Sequence, residues 1–159
     1  MENAVKALLI AAGVLMGMVI VSIGVNLYSS LSKYVELTQN EIAMTELQQF
    51  NDQFFKYINY NENATNPRQF ALTIQDIVTA ANIAYENNQF YGLTEYKDGS
   101  YYVIVKLDGK SLEKNITSNS AQLLLNGLGY EYRCSSTDVR ISAITGRVYE
   151  VNFYTYEVP

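Results

Sequence analysis

Glu2 and Lys6 stand four residues apart at the start of the chain. This is the spacing and order, acid toward the N-terminus, that favours an ion pair along a helix. At a membrane surface such a pair is worth only about 0.2–0.5 kcal/mol. If Glu2 is instead carried into an apolar assembly, it must pair with Lys6 or with the terminal amine of a neighbouring copy, because an unpaired carboxylate is costly there. Gly13 and Gly17 then form a small-xxx-small pair, and Gly24 follows on nearly the same helix face, with Ala11, Ala12 and Ser22 as further small positions. Between helices in lipid, close backbone approach at small residues favours association, although glycine is common in membrane helices in any case. The five residues Glu2, Lys6, Gly13, Gly17 and Gly24 are therefore the assembly candidates.

The rest of the chain offers little for catalysis. There is no histidine, which removes the commonest general base, the common activator of Ser and Cys nucleophiles, and the commonest metal ligand. Cys134 is the sole cysteine, so an internal disulfide and a cysteine-rich zinc site are both excluded. Asp98 and Asp108 each precede glycine, where Asp is favoured for its turn geometry. The stretch Asp108–Glu113 has too few oxygen ligands for a calcium loop, and Gly127-Leu128-Gly129 lacks the strand and helix of a phosphate cradle. Asn63-Ala64-Thr65 and Asn115-Ile116-Thr117 match the glycosylation acceptor pattern, which chance supplies in a chain rich in Asn and Thr. No catalytic, cofactor or metal residue is assigned, and no enzyme is expected.

The elements that must position these residues begin with a membrane-like segment. Ala7–Ser32 carries no charge, and Ala7–Val25 is interrupted by one polar residue, Ser22. Roughly 20 apolar residues cross a bilayer as a helix. The flank Met1–Lys6 is neutral and the apolar run exceeds the roughly 7–15 residues of a signal sequence, so a retained anchor is expected. Beyond it, Leu31, Val35, Ile42, Leu47, Phe50, Phe54 and Tyr57 recur at helical spacings without a break. One long helix, or two nearly coaxial ones, is expected from about residue 3 to about 59, ending before Asn66-Pro67.

A second helix starts at Thr73 with Asp76 as its capping partner and closes at Asn87-Asn88. After it the period falls to two. Leu93–Tyr96 and Tyr101–Leu107 read as a hairpin through Lys97-Asp98-Gly99-Ser100. Asp108-Gly109 makes another turn, and Ser118–Leu128 a short helix. Tyr130–Cys134, Val139–Ile144 and Arg147–Tyr156 read as strands, with Tyr149, Val151 and Phe153 on the covered face of the last. The expected fold class is α+β: an apolar assembly helix (1–30), an amphipathic stem (31–60), and a head (68–159) holding a second helix and a four- or five-stranded antiparallel sheet.

Glu2 and Lys6 cancel, so the net charge of −5 lies on residues 33–159. With no basic cluster to meet phosphates, nucleic acid is not an expected partner. The chain has 14 tyrosines. Aromatics suit pleated sheets, but those pointing outward supply contact area at low entropic cost. Tyr102, Tyr132, Tyr154 and Tyr156 are the head-interface candidates.

The stretch from Glu2 to Gly13, apolar from about residue 4 and continuous with a helical stem and a β-rich head, resembles the type IV pilin class and its relatives in type II secretion and Tad-like machines. Where that family has a glutamate at the fifth mature position, this chain has Val5, and Glu2 is its nearest carboxylate. The resemblance implies an anchor that waits in the membrane and then moves into the core of a helical homopolymer. Glu2 would be the registration charge, the Gly13/Gly17 face a packing seam and the tyrosine-bearing head the outer shell. It also implies an assembly platform protein and an ATPase as partners, beside membrane lipid and the chain itself. The expected product is a cell-surface filament. The alternative is a single-pass membrane protein whose extracytoplasmic head binds a ligand or partner, as in a sensor or secretion accessory factor. Lys6 and Lys33 leave the positive-inside count tied, and the acidic, Asn/Thr/Tyr-rich head favours an exterior location.

Overall fold

The computed structural model describes residues 1–156. They contain a 54-residue helix, α1 (Glu2–Phe55), two shorter helices, α2 (Ile74–Phe90) and α3 (Ile116–Gly127), and five strands. The chain divides into two compact units, the first Met1–Thr45 and the second beginning at Glu46.

The first unit is helix from Glu2 on, and its residues are exposed apart from the half-buried Thr38. Some of its polar side chains bond back along the helix, Asn26 to the Ser22 carbonyl, Thr38 to that of Tyr34 and Thr45 to that of Glu41. Ala7–Val25 rises about 28 Å at 1.5 Å per residue, close to the ~30 Å hydrocarbon thickness of a bilayer. This is the one helix among the described residues long and apolar enough to cross a membrane.

The second unit is α+β. It opens with the last turns of α1, where Phe54 is fully buried and Asn51 nearly so. Asn51 donates to the Gly146 carbonyl (2.9 Å) and accepts from the Val148 amide (2.8 Å), fixing this end of the helix to a strand. The helix stops at Phe55, short of the expected 59. Tyr57 and Ile58 close tighter turns onto Phe54 and Phe55, and Asn59 then leaves to bond the Cys134 carbonyl. The Asn59 side chain, fully buried, donates to the carbonyls of Phe70 and Tyr132 and accepts from the Cys134 amide.

The strands are β1 (Ile104–Leu107), β2 (Lys110–Ser111), β3 (Glu131–Arg133), β4 (Val139–Ile141) and β5 (Val148–Tyr156). β5 is the hub. β1 lies along Glu150–Phe153, β3 along Tyr154–Tyr156, and β4 along Val148–Val151. The sheet is mixed, which corrects the antiparallel expectation: β1 and β5 run parallel, and the segment between them, carrying α3, β3 and β4, returns the chain in the same direction. The Asp108-Gly109 turn forms as expected and joins β1 to β2, with both residues at positive φ (46° and 81°), the pairing a tight two-residue hairpin turn requires.

The expected Leu93–Tyr96 strand is absent. The turn at Lys97–Ser100 closes (Ser100 amide to Lys97 carbonyl, 2.9 Å) without a ladder beside it. Tyr101–Val103 is held instead by α2. Asn88 donates to the Val103 carbonyl (2.9 Å) and accepts its amide (2.8 Å), while Asn87 donates to the Tyr101 carbonyl (2.6 Å). Two side-chain amides thus do the work of a missing strand, and α2 runs past them to Phe90.

Val151 and Phe153 are fully buried, as alternation requires, but so is Val148, three residues before Val151. Arg140 pairs with Glu150 and Ile141 with Val148, so Tyr149 is the extra residue of a bulge. The bulge resets the phase of the strand and leaves Tyr149 half-buried, stacked on Tyr96 at 5.1 Å. Against these residues pack Ile77, Ala80, Ala81 and Ala84 of α2, Ile116 of α3 and Phe54. The alanines let α2 lie close. Thr73 caps α2 by donating its amide and hydroxyl to Asp76 Oδ2 (2.9 and 2.8 Å).

Candidate assembly helix and head surface

In the first unit, Lys6 Nζ donates to Glu2 Oε1 at 2.8 Å with both side chains exposed. The most apolar window of α1 has a mean hydropathy of 2.6 and none of it is buried. A Cβ built on Gly13, Gly17 or Gly24 would meet no atom within 4 Å. The residues singled out for assembly therefore have no packing role within their own unit, where the glycines only cost helix stability.

The head tyrosines divide. Tyr102 and Tyr132 are each 3% exposed, so the expectation that they offer contact area is corrected. Tyr102 donates its hydroxyl to Glu113 Oε1 (3.2 Å), and burial, followed by the charge and hydrogen bond of Glu113, pushes its pKa up to about 12. Tyr132 donates to the Gly127 carbonyl (3.4 Å), and burial, then the charge of Asp108, raises it as well. A strand sends alternate side chains to opposite faces, and its sequence alone does not say which face a further layer covers. The layer of α2 and α3 is what covers them, and periodicity in a strand cannot report a covering helix. Tyr154 is exposed and Tyr156 half-buried, with the guanidiniums of Arg133 and Arg68 over their rings at 5.6 and 5.8 Å.

An exposed aromatic surface lies at the C-terminal end of α2, which runs on to Phe90 past the Asn87-Asn88 terminus that the sequence suggests. Phe90, at 82% exposure, packs edge-on to Tyr91 (5.0 Å), which packs edge-on to Tyr101 (4.9 Å). Arg147 joins them, its guanidinium 4.7 Å from the Tyr101 ring, 5.6 Å from Tyr91 and 3.6 Å from Phe50. One Nη donates to Asn87 Oδ1 (3.0 Å), while the buried Nε has no hydrogen-bond partner. Among the described residues no carboxylate pairs with it. The positional signal was Gly146-Arg147 at the turn into the last strand, but nothing in the sequence indicated which rings the Arg would meet.

Other buried polar groups are held in hydrogen-bonded networks. Glu150, on β5, accepts from Lys106 (2.9 Å) and Asn152 (2.9 Å), with Arg140 at 3.5 Å. Burial works to raise its pKa, but the bonds from Asn152 and Lys106 and the two positive charges outweigh it and hold the carboxyl below its ordinary value. Glu113, 1% exposed, accepts from Tyr102 and from the Val105 amide. Cys134 is fully buried, and burial, then Asp138, pushes its thiol up to about 12, so little of it is nucleophilic at neutral pH. Among the described residues no three His, Cys, Asp or Glu side chains are grouped to hold a metal ion. Shallow clefts among the described residues of the head include two that could be considered as sites. One, of about 190 Å³, is bordered by Ile74, Leu123 and Tyr130, and one, of about 270 Å³, by Tyr85, Leu93 and Glu113. Neither gathers a set of convergent reactive groups. Comparison with protein-family models, with curated proteins and with solved structures finds no match to this chain.

Proposed function

We propose that this chain is a pilin-like structural subunit, anchored in the membrane by α1 and polymerised through that helix into a cell-surface filament, with the head outside. The observation that carries the reading is the condition of α1. Through the first unit its apolar side chains are exposed on every face, Leu8 and Met16 at 72% and 71%, and the helix continues past the length a bilayer requires. Leu31, Tyr34, Leu37 and Met44 stay exposed beyond the apolar span, at 63–70%. Lipid accounts for covering the first half of such a surface, and helices of other copies account for covering all of it. Glu2 serves as the registration charge, exchanging its bond to Lys6 for a partner on the next copy, and the Gly13/Gly17/Gly24 face is the seam. The platform protein and ATPase implied by the pilin resemblance drive the transfer from membrane to filament.

The test is electron microscopy of material sheared from cells, with an antibody against the head. Labelled filaments are expected, and Glu2→Ala is expected to reduce them while the head stays folded. Recovery of the chain only as a detergent-extracted monomer would favour the single-pass, partner-binding alternative.

A further inference from the structure

Two features of the molecule complement each other chemically. On the head, Arg147 lies beside the aromatic platform of Phe90, Tyr91 and Tyr101, without a carboxylate partner among the described residues. Its charge is half-buried against rings, where an ion pair is stronger than in open water. On the first unit, Tyr34, Leu37, Glu41 and Met44 follow at intervals of three and four, which places them on one helix stripe. The three apolar members are 68%, 63% and 70% exposed. Glu41, also exposed, has no basic partner among the described residues. One surface is a cation ringed by aromatics and the other an anion flanked by Tyr, Leu and Met.

We infer that the Phe90/Tyr91/Tyr101 platform is the docking surface for the Tyr34–Met44 stripe of a second copy of this chain, with Arg147 and Glu41 paired across the contact. This rests on the filament reading and specifies which head surface a neighbouring stem occupies. Aromatic and Arg anchors are the residue types that dominate protein contacts, and a charge pair enclosed by apolar side chains fixes register. The platform lies within the head and the stripe beyond the apolar span, so the contact can form outside the hydrocarbon region.

The experiment places a photo-crosslinking amino acid at Phe90, which is 82% exposed and so replaceable without unfolding the head. It is carried out on full-length chain in intact filaments. Irradiation is expected to give a covalent dimer whose tryptic map joins residue 90 to the peptide spanning Tyr34–Lys56. Cross-links only within one chain, to another part of the second copy, or to a different protein would overturn the inference. In parallel, Glu41→Arg alone is expected to cut filament yield at least fivefold, and Arg147→Glu with Glu41→Arg to restore most of it. Should Arg147→Glu unfold the head, the cross-link at residue 90 still decides. Failure of the wild type to form filaments would count against the proposed function, whereas normal filaments with cross-links elsewhere would count against this contact alone.

Discussion

Removing the Asn88 side chain tests whether a helix amide has replaced a strand in this fold. Asn88 is 4% exposed, and its two bonds to Val103 (2.8 and 2.9 Å) satisfy the amide and carbonyl of a residue with no exposed surface. Asn88→Ala leaves both groups without partners. Each orphaned buried group costs about 1–3 kcal/mol, and some water entry into the space left by the amide lowers the sum to about 2–4 kcal/mol. Asn87 is half-buried and near solvent, so water replaces its bonds to Tyr101 and Arg147 and Asn87→Ala should cost about 1 kcal/mol. The assay is urea unfolding of the full chain in detergent, followed by near-ultraviolet dichroism of its tyrosines, since the chain has no tryptophan. At a slope of about 1–3 kcal/mol per molar urea, the Asn88 midpoint should fall by at least ~0.7 M. An Asn88→Ala protein within about 0.5 kcal/mol of wild type would refute the substitution of side chain for strand.

Three further outcomes are expected. Gly127→Ala should destabilise the head by about 1–3 kcal/mol, because its Cβ would fall 2.4–2.7 Å from Ile74 side-chain atoms; a wild-type midpoint in the same titration would contradict that packing. Cys134 should resist thiol reagents at neutral pH and react only in denaturant, and stoichiometric labelling of native protein would show the thiol is accessible. The Tyr102 pKa is raised from 10.0 to about 12, so its folded state keeps a proton that the unfolded chain loses. Its contribution is intact below pH ~10 and is lost as pH rises toward ~12, up to about 2–3 kcal/mol. Tyr102→Phe should flatten that alkaline loss of stability, and an unchanged profile would assign it to other groups.

Much of the architecture was legible because its signals are local. The apolar run at Ala7–Val25, the Thr73/Asp76 cap and the Asp108-Gly109 turn each depend on neighbours within a few residues, and each appears where expected. What was missed depends on distant partners. Parallel pairing of β1 with β5 is decided by the path of the chain between them, and the absent strand at Leu93–Tyr96 by Asn87 and Asn88 on a helix. The burial of Tyr102 and Tyr132 is decided by α2 and α3. The platform at Phe90–Tyr91 was overlooked for a related reason: two Asn residues look like a helix terminus, yet here they bond a strand segment and the helix continues.

The central claim is that other copies of α1 cover its apolar surface. Ile20 lies between Gly17 and Gly24 on the seam, and Cys134 is buried and out of reach, so Ile20→Cys gives one reporter thiol on that face. Oxidative cross-linking in intact cells measures the contact directly. The account predicts a covalent dimer of this chain in the filament fraction. A chain that remains monomeric under oxidation, with the thiol accessible to lipid-soluble reagents, would contradict it.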